Sequence, residues 1–358
     1  MRTIAVAFIC FGAAAYAQEA DSGFDLQSTV SGIAAYSHQL STAPRDGDPI
    51  TGGIRMMFYP TWKLSKHWSV SGAIEVYSEP YFYAEFSTPG HAVTADVLQA
   101  QLVYSQIRKD RSFVFRAGQL SSAFGSFLLR YDDAVNPLID MPLSYGYYGK
   151  GVTTAGLAGA QIDATLGKLD TRLQFVNSSP ANPRSIFDKD QYGNWAGGLG
   201  YTISQGFRVG VSAYRGPYLD RQSQFYFPGE SPPRDLPATA YGLEAQWGHG
   251  PWSAYAELQK FQFDYHVIPT FTENTGYVEL RRILHPRWYL ATRLSYLRSN
   301  LAPARQVCES VVGYRPNRFQ LVKIGYEIQQ GQYIRGSLAN TFGIQLVTAF
   351  RPISIARD

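Results

Sequence analysis

The sequence has little cysteine: only Cys10 and Cys308 occur among its 358 residues. Cys10 lies within residues 1–17, where an early arginine precedes an apolar run that is too short to span a bilayer. The run ends at Ala-Tyr-Ala (residues 15–17), which has the small-x-small form of a signal-peptidase site. We therefore expect residues 1–17 to be a signal peptide, removed during Sec-type export. Cys308 is then the one cysteine left, which excludes a disulfide within the exported chain.

Charge is also scarce. Only 17% of the residues are charged and the formal net charge is +4 at pH 7, so the composition does not indicate a nucleic-acid partner. No apolar stretch is long enough for a membrane-spanning helix. Aromatic residues and glycine are abundant instead, with 25 tyrosines, 21 phenylalanines and 33 glycines. An exported chain of this kind fits two fold classes: a soluble β-sandwich or propeller, or an outer-membrane β-barrel.

Apolar and polar residues alternate along the whole exported chain, as they do in β-strands. In Gly53–Trp62, Ile54 and Phe58 share one face. Arg55 and Tyr59 lie on the other. The pattern predicts sixteen strands, at Phe24–His38, Gly53–Trp62, Trp68–Tyr77, Val93–Ile107, Ser112–Gly118, Val152–Leu166, Leu169–Val176, Trp195–Ile203, Phe207–Arg215, Thr239–Trp247, Trp252–Phe263, Gly276–Ile283, Trp288–Arg298, Val307–Tyr314, Phe319–Ile328 and Thr341–Phe350.

The predicted connections alternate between short and mostly longer ones. Short turns occur at Lys63–His67, Arg108–Arg111, Gly167-Lys168, Ser204–Gly206, Gly248–Pro251, Leu284–Arg287 and Arg315–Arg318. An up-and-down barrel has this order when one end faces a confined compartment and the other faces outward. A Greek-key sandwich has no reason to produce it. The sequence therefore predicts an all-β fold, a transmembrane antiparallel up-and-down β-barrel over residues 18–350, with residues 351–358 as a short C-terminal tail.

The longest connection, Gln119–Gly151, breaks the alternation. Links of about this length in a compact fold are usually functional or disordered. This one carries Phe124, Phe127 and Leu138, and it has too much apolar surface for a free linker. A barrel of sixteen tilted strands encloses a lumen too wide for side chains to fill. We therefore expect this third long loop to fold inward and to pack inside the lumen.

The tryptophans recur at one end of the predicted meander. Five of the six lie at strand ends beside short turns, namely Trp62, Trp68, Trp247, Trp252 and Trp288. Amphipathic rings favour the membrane interface. Large aromatic residues also cover hairpin ends in other β-proteins, but recurrence at the same end favours an interfacial girdle.

Two stretches resemble bacterial outer-membrane porins. Residues 115–120 (Phe-Arg-Ala-Gly-Gln-Leu), followed by 123–125 (Ala-Phe-Gly), are similar to the strand-to-loop passage of phosphate-selective and related general porins. Residues 323–327 and 342–350 are similar to the last strands of porin-like proteins. The resemblance implies a sixteen-stranded barrel, often trimeric, with the third outer loop folded inward as a constriction. The chain departs from the pattern because residues 351–358 follow the aromatic residue on which such chains commonly end.

Charged residues that alternate with apolar ones must point away from lipid, because a cation at the bilayer midplane costs about 2–4 kcal/mol. The predicted pore-lining residues are Arg55, Glu75, Arg116, Arg172, Arg208, Glu244, Glu257, Glu279, Arg281, Arg293 and Lys323, together with Asp170 and Glu327. Both signs occur. They indicate either a transverse field that acts on polar solutes or a lumen that is merely wet and salt-bridged.

The third loop supplies the predicted constriction. The groups that we expect at its narrowest point are Arg130, Tyr131, Asp132, Asp133, Asp140 and Lys150. Adjacent carboxylates such as Asp132 and Asp133 are hard oxygen ligands of the type that binds divalent ions. Neighbouring carboxylates also occur in solvated turns, so we expect neither a metal nor a cofactor.

Enzyme motifs are missing from the sequence. The six histidines show no H-E-x-x-H spacing, and no G-x-S-x-G elbow occurs, although sequence order does not exclude serine and histidine meeting from separate strands. We therefore expect no enzymatic activity. The sequence predicts an outer-membrane porin, a passive water-filled channel for small hydrophilic solutes or ions, and the porin resemblance implies a homo-oligomer. The alternatives are a non-conducting barrel that serves as adhesin, receptor or structural envelope protein, and a soluble exported β-protein.

Overall fold

The computed structural model describes residues 22–37, 49–79, 81–83, 92–146, 152–177, 193–218, 229, 231, 235–300, 303–331 and 340–357. The predicted signal peptide and Lys150 lie outside these residues. The strands are β1 (Ser22–Tyr36), β2 (Ile50–Lys63), β3 (Trp68–Glu79), β4 (Ala92–Ile107), β5 (Arg111–Leu120), β6 (Leu157–Leu166), β7 (Leu169–Asn177), β8 (Gly193–Ser204), β9 (Phe207–Pro217), β10 (Pro237–His249), β11 (Trp252–Phe263), β12 (Phe271–His285), β13 (Trp288–Ser299), β14 (Arg305–Tyr314), β15 (Gln320–Gly331) and β16 (Asn340–Arg357).

The sixteen strands form one closed barrel. Each strand pairs antiparallel with its sequence neighbours, and β1 pairs with β16. Closure matters because a sheet edge leaves a row of backbone N–H and C=O groups unpaired, and a barrel has no edge. The predicted all-β class, the up-and-down order and the strand number are confirmed. In the described part of the chain, no helix is long and apolar enough to cross a membrane.

The barrel has a short-turn end and a long-link end. Short turns lie at 64–67, 108–110, 167–168, 205–206, 250–251, 286–287 and 315–319. At the opposite end, the link between β5 and β6 spans residues 121–156. We call it the long link. It contains a 3-10 turn at Phe127–Arg130 and the short helix α1 at Leu143–Gly146.

Strand β6 begins later than the sequence pattern predicts. It starts at Leu157 instead of Val152. The residues in between belong to the long link, where the N–H of Gly156 donates to the carbonyl of Leu98 and the carbonyl of Thr154 accepts from Ser122. Gly156 has a positive φ of 82°, which a regular strand does not use. The residues of this stretch alternate in type as strand residues do, but they are not part of β6.

Strand β16 is longer than predicted. Residues 351–357, expected to be a tail, continue the strand, and Ile353–Arg357 pair with Ser22–Leu26 of β1. The side chain of Arg351 forms an ion pair with Asp25. The tail assignment over 351–358 is therefore corrected. It ended the barrel at the last aromatic residue, although the alternation continues beyond it.

The two faces of the barrel differ in chemistry. On β15, Ile324 and Ile328 are exposed on one face, whereas Lys323 and Glu327 are buried on the other, with 0% and 1% of their surface exposed. The same separation follows the alternation of the other strands. We call these the apolar face and the polar face.

Candidate functional site

The long link covers much of the polar face. Its described residues share hydrogen bonds with side chains of β1, β2, β3, β7, β9, β11, β12, β13, β14 and β15. Phe124, Phe127, Leu138 and Ile139 are at most 1% exposed. The apolar content of the link is thus buried against the wall, as expected for a packed segment and not for a free linker.

A cluster around Arg55 joins the link to β1, β2 and β3. Arg55 Nε lies 2.5 Å from Glu75 Oε1, and Arg55 Nη1 lies 3.1 Å from Asp133 Oδ1 of the link. Asp133 also accepts hydrogen bonds from Ser31 Oγ at 2.5 Å and from Tyr81 OH at 2.8 Å. We call Arg55, Glu75, Asp133, Ser31 and Tyr81 the Arg55 cluster. It pairs a fully buried cation with two carboxylates.

The charge of Arg55 decides the ionisation of Asp133. Burial alone would raise the pKa of Asp133, but the neighbouring Arg55, with Lys323 behind it, outweighs burial and lowers that pKa. The guanidinium of Arg55 also lies 4.1 Å from the centre of the Tyr131 ring, within cation–π range. Asp133 therefore stays an anion where it holds the link.

A second cluster surrounds Glu257 of β11. Its carboxylate accepts hydrogen bonds from Ser126 Oγ at 2.5 Å, Tyr145 OH at 2.6 Å, Gln259 Nε2 at 2.7 Å and Tyr277 OH at 2.8 Å. We call these five residues the Glu257 cluster. Ser126 precedes the 3-10 turn and Tyr145 lies in α1, so that one carboxylate fixes two distant parts of the link.

Arg130, at the end of the 3-10 turn, binds β12. Its Nη1 lies 2.6 Å from Glu279 Oε1, and its Nη2 donates to Tyr277 OH at 3.0 Å. The guanidinium lies 3.8 Å from the centre of the Tyr255 ring of β11. Arg130 therefore reaches the wall with both its charge and its flat face.

The backbone of the link is held near Asp140. Glu309 Oε1 accepts hydrogen bonds from the N–H groups of Ile139 at 2.8 Å and Asp140 at 3.1 Å. The other carboxylate oxygen of Glu309 lies 2.7 Å from Arg293 Nη2, which also donates to the Asp140 carbonyl at 2.8 Å. On β15, Lys323 Nζ donates to the carbonyl of Leu138 at 2.9 Å. The link lacks regular secondary structure here, so these main-chain N–H and C=O groups have no partners within the link. Side chains of the wall form hydrogen bonds with them instead.

The carboxyl group of Asp140 lies in a crowded acidic region. Burial and the neighbouring Glu309 raise its pKa to about 7, although Arg293 opposes the shift. Asp140 is therefore a group of the link whose charge changes near neutral pH.

One part of the polar face is left half exposed. On β5 and β6, Arg116 Nε lies 2.9 Å from Asp163 Oδ2, with 20% and 28% of the two side chains exposed. On β7, Arg172 is half-buried and donates to the carbonyl of Gly125 at 3.3 Å. This area, which we call the β5–β7 wall, presents both charge signs to open space.

The side of the link that remains exposed is apolar. Leu128 and Leu129 are half-buried, and Val135 is 48% exposed. Leu128 packs partly against the buried Phe127, Tyr145 and Tyr277. Among the described link residues, the charged side chains of Arg130, Asp132 and Asp133 contact the barrel wall.

The structure places four predicted constriction residues between the link and the wall. Arg130, Asp132, Asp133 and Asp140 are at most 9% exposed, and Asp132 accepts a hydrogen bond from Tyr59 OH at 2.6 Å. Arg130, Asp132 and Asp133 have partners on the strands, so these three side chains lie against the wall. Their place at the narrowest point of a passage stays a prediction. Tyr131 is half-buried.

The predicted pore-lining residues all lie on the polar face but differ in exposure. Buried among them are Arg55, Glu75, Arg208, Glu244, Glu257, Glu279, Arg293 and Lys323, while Arg116, Arg172 and Arg281 are half-buried. Arg208 makes two contacts with Asp170, at 2.6 and 2.8 Å, and one with Glu244 at 2.5 Å. Charges of opposite sign are therefore paired over much of this face.

Among the described residues, four buried charges of the polar face were not predicted: Asp25, Glu273, Arg305 and Glu309. Glu309 lies within a predicted strand and follows its alternation, so the pattern could have found it. Glu273 and Arg305 lie just outside the predicted bounds of β12 and β14, since both strands begin earlier than the pattern indicates.

The five tryptophans flank the short-turn end. Trp62, Trp68, Trp247 and Trp288 are 40–53% exposed. Trp252 is half-buried, and the guanidinium of Arg282 lies 4.9 Å from its ring centre. Neighbouring rings extend this aromatic rim, for example Tyr104, 5.1 Å from Trp68.

The fold is similar to those of solved bacterial outer-membrane proteins. An anion-selective porin from Comamonas acidovorans superposes with a TM-score of 0.64 at 11% identity, over 92% of this chain and 100% of that chain. The outer membrane channel DcaP of Acinetobacter baumannii gives a TM-score of 0.60 at 13% identity, over 92% and 98%. The trimer form of OmpT, an outer membrane protein of Vibrio cholerae, gives 0.59 at 11% identity, over 92% and 100%.

The chain therefore has a porin-like fold. Neither a protein-family model nor a curated protein sequence matches it, and identities of this size relate the fold alone. The resemblance read from residues 115–125 and 323–350 agrees with these structures.

The statement that the chain has no enzymatic activity is corrected. Several of the similar structures are OmpT of Vibrio cholerae, and a shared barrel at about 11% identity fixes neither transport nor catalysis. The exclusion rested on missing linear motifs, which do not detect side chains brought together from separate strands. We therefore withdraw it.

Proposed function

We propose that the protein is an outer-membrane porin, a passive water-filled diffusion channel for small hydrophilic solutes or ions. The observation that carries this proposal is the separation of faces on a closed sixteen-stranded barrel. Exposed leucines, isoleucines and tryptophans suit hydrocarbon and its interface. Buried charges such as Arg55 and Lys323 would each cost about 2–4 kcal/mol toward the lipid midplane, so the polar face must enclose the lumen.

The long link is then the segment that narrows the lumen. Its contacts with ten strands of the polar face support an inward position. The Arg55 cluster and the Glu257 cluster would fix it there. We infer that the remaining passage runs between the exposed link residues and the β5–β7 wall, where Arg116, Asp163 and Arg172 reach open space.

Conductance of the refolded protein in a planar lipid bilayer tests the channel. Stepwise openings that follow protein addition are the expected result. In a salt gradient, Arg172→Gln should shift the reversal potential toward cation preference, because it removes one half-exposed positive charge from the passage. Arg208→Gln, which changes a charge held by two carboxylates, is the comparison for a buried position. Insertion of a folded barrel without openings would overturn the proposal.

A second function has one observation in its favour. Most charges under the link are paired, as a lumen closed by its own loop would require, and this favours a non-conducting barrel that acts as adhesin, receptor or structural envelope protein. The same bilayer recording separates the two functions. A closed barrel would conduct only after the link is released, for instance by Asp133→Asn combined with Glu257→Gln.

We also propose that the barrel assembles as a homotrimer in the outer membrane. Support comes from the similar fold of OmpT, whose structure is a trimer form. Native mass spectrometry of the detergent-solubilised protein would give a trimer mass. A monomer across the detergents that keep the barrel folded would contradict this assembly.

A further inference from the structure

The apolar face carries a groove across β10–β13. Its volume is about 530 Å³, and its lining includes Leu243, Leu258, Gly276, Val278 and Leu294. Leu243, Leu258 and Gly276 lie side by side in register on β10, β11 and β12. Gly276 has no side chain, and the Leu258 side chain leans over it, so that a Cβ atom there would lie 2.8 Å from Leu258 Cδ2. The groove lies beside these two residues. The groove is apolar like the rest of this face, but it is concave.

Cationic side chains border the groove on the side of the long-link end. Lys260 of β11 lies directly opposite Asn274 of β12, and Asn274 lies directly opposite Arg298 of β13. All three are exposed. Each lies two residues from the row of Gly276, toward the long-link end, and on the same face, because side chains two apart on a strand share a face.

The position of the two cations is informative. An exposed lysine or arginine on the lipid side is costly at the midplane, and the cost falls to about 0–1 kcal/mol near the interface. Lys260 and Arg298 are thus expected at headgroup level, with the groove below them at the level of the acyl chains. Two cations with an amide between them complement a phosphate group, and the groove complements a hydrocarbon chain.

We propose that this site binds a phosphorylated glycolipid of the outer leaflet. Its phosphate lies between Lys260 and Arg298, and one of its acyl chains lies in the groove lined by Leu243, Leu258, Val278 and Leu294. The proposal rests on the membrane insertion proposed above, with the long-link end facing outward. It assigns a role to a row of residues that takes no part in the lumen.

Native mass spectrometry of the detergent-solubilised barrel, titrated with diphosphoryl lipid A, tests the site. The wild-type protein should retain the lipid. Lys260→Gln combined with Arg298→Gln should weaken retention about twenty-five-fold, because each surface cation contributes about fivefold to the attraction of an anionic headgroup. Arg215→Gln is the matched control: Arg215 is an exposed cation opposite Trp195 on the apolar face of β9, outside the groove.

Two results would overturn the site. One is equal retention of lipid A by the wild-type protein and the double variant. The other is equal retention of a dephosphorylated lipid A by the wild-type protein, which would leave the cations without a role. Planar-bilayer conductance of the same variants keeps this inference separate from the channel, since neither cation faces the lumen. If the double variant loses the lipid but keeps its conductance, the result supports both the channel and the lipid site. If the barrel conducts but retains phosphorylated and dephosphorylated lipid A equally, only the lipid site is overturned.

Discussion

Arg55 and Arg116 both pair with carboxylates, but their surroundings differ. The side chain of Arg55 is 0% exposed, whereas 20% of the Arg116 side chain is exposed. Removing one member of a buried pair leaves a desolvated charge, whereas water replaces the lost partner of an exposed one. The energetic weight of a charge in this barrel therefore depends on whether the long link covers it.

A pair of matched variants measures this difference. Arg55→Met leaves Glu75 and Asp133 buried without their cation and should lower the free energy of unfolding by about 3–5 kcal/mol. Arg116→Met should lower it by about 0–1 kcal/mol. Urea unfolding of the refolded protein in detergent, followed by tryptophan fluorescence, gives both values. Equal losses would contradict the assignment of Arg55 as an anchor of the link.

The conformation of the long link depends on Gly125. Its φ is +74°, and a Cβ atom there would lie 2.1 Å from Tyr145 OH, within the Glu257 cluster. Gly167 in the β6–β7 turn also has a positive φ, +58°, but nothing lies within 4 Å of its Cβ position. Gly125→Ala should therefore release the link, whereas Gly167→Ala should cost only backbone strain of about 1 kcal/mol.

The rate at which a protease cleaves the folded barrel would show whether the long link is released from the wall. Cleavage within the long link should be much faster in Gly125→Ala than in Gly167→Ala, with similar barrel stability in both variants. The same slow cleavage in both would mean that the link tolerates a side chain at Gly125, and that its contacts with Glu257 do not hold it.

The link should also respond to pH. Because burial and Glu309 raise the pKa of Asp140 from its ordinary value near 4 to about 7, the docked state favours the protonated carboxyl. The contribution of Asp140 to docking is then fully present below about pH 4, decreases as the pH rises, and is lost as the pH passes about 7. Glu309, Glu327 and the cation Arg293 also face this carboxyl group.

Current noise at pH 5 and pH 8 tests this expectation. Openings of the wild-type protein should be noisier at pH 8, where the link is held less firmly. Asp140→Asn should reduce this pH dependence, and Asp163→Asn, which changes a half-exposed acid of the β5–β7 wall, should leave it intact. An unchanged pH dependence in Asp140→Asn would assign the effect to other groups.

The strands of this fold can be predicted from sequence because one rule, the alternation of apolar and polar residues, applies along each of them. Period-two alternation located all sixteen strands, because each residue faces either hydrocarbon or a polar surface. The same parity placed Arg55, Glu257 and Lys323 on the polar face. It failed in residues 152–156, where small residues alternate without pairing, and it ended β16 too early.

The contacts of the long link could not be predicted in this way. Ser126 meets Glu257 across 131 positions of the chain, and Leu138 meets Lys323 across 185. Such pairs follow from barrel closure and from the path of the link through space, neither of which has a local signal. The acidic pair Asp132-Asp133 looked like a solvated turn or an ion site, and only its distant partners, Tyr59 and Arg55, identify it as a contact with the wall.

At the scale of the whole molecule, closure depends on the first and last strands. Deleting residues 351–358 would leave Ser22–Leu26 of β1 without their partners on β16. Unpaired backbone groups cost several kcal/mol each where water cannot reach them. The truncated protein should therefore lose its folded, fast-migrating form on SDS gels at a lower temperature than the wild-type protein. Arg351→Gln, which removes only the ion pair with Asp25, should shift that temperature little. If truncation left the temperature at which the folded form is lost unchanged, the pairing of Ser22–Leu26 with β16 would not be needed to close the barrel.

The long link uses opposite sides for its two tasks. Among its described residues, charged and aromatic side chains hold it to the wall, while Leu128, Leu129 and Val135 keep part of their surface exposed. Substitutions at these three positions would change the character of the passage without removing any hydrogen bond that holds the link. In the proposed channel, the link residues that would meet a solute are therefore exchangeable. Selection or an engineer can change them while the contacts that hold the link to the barrel are kept.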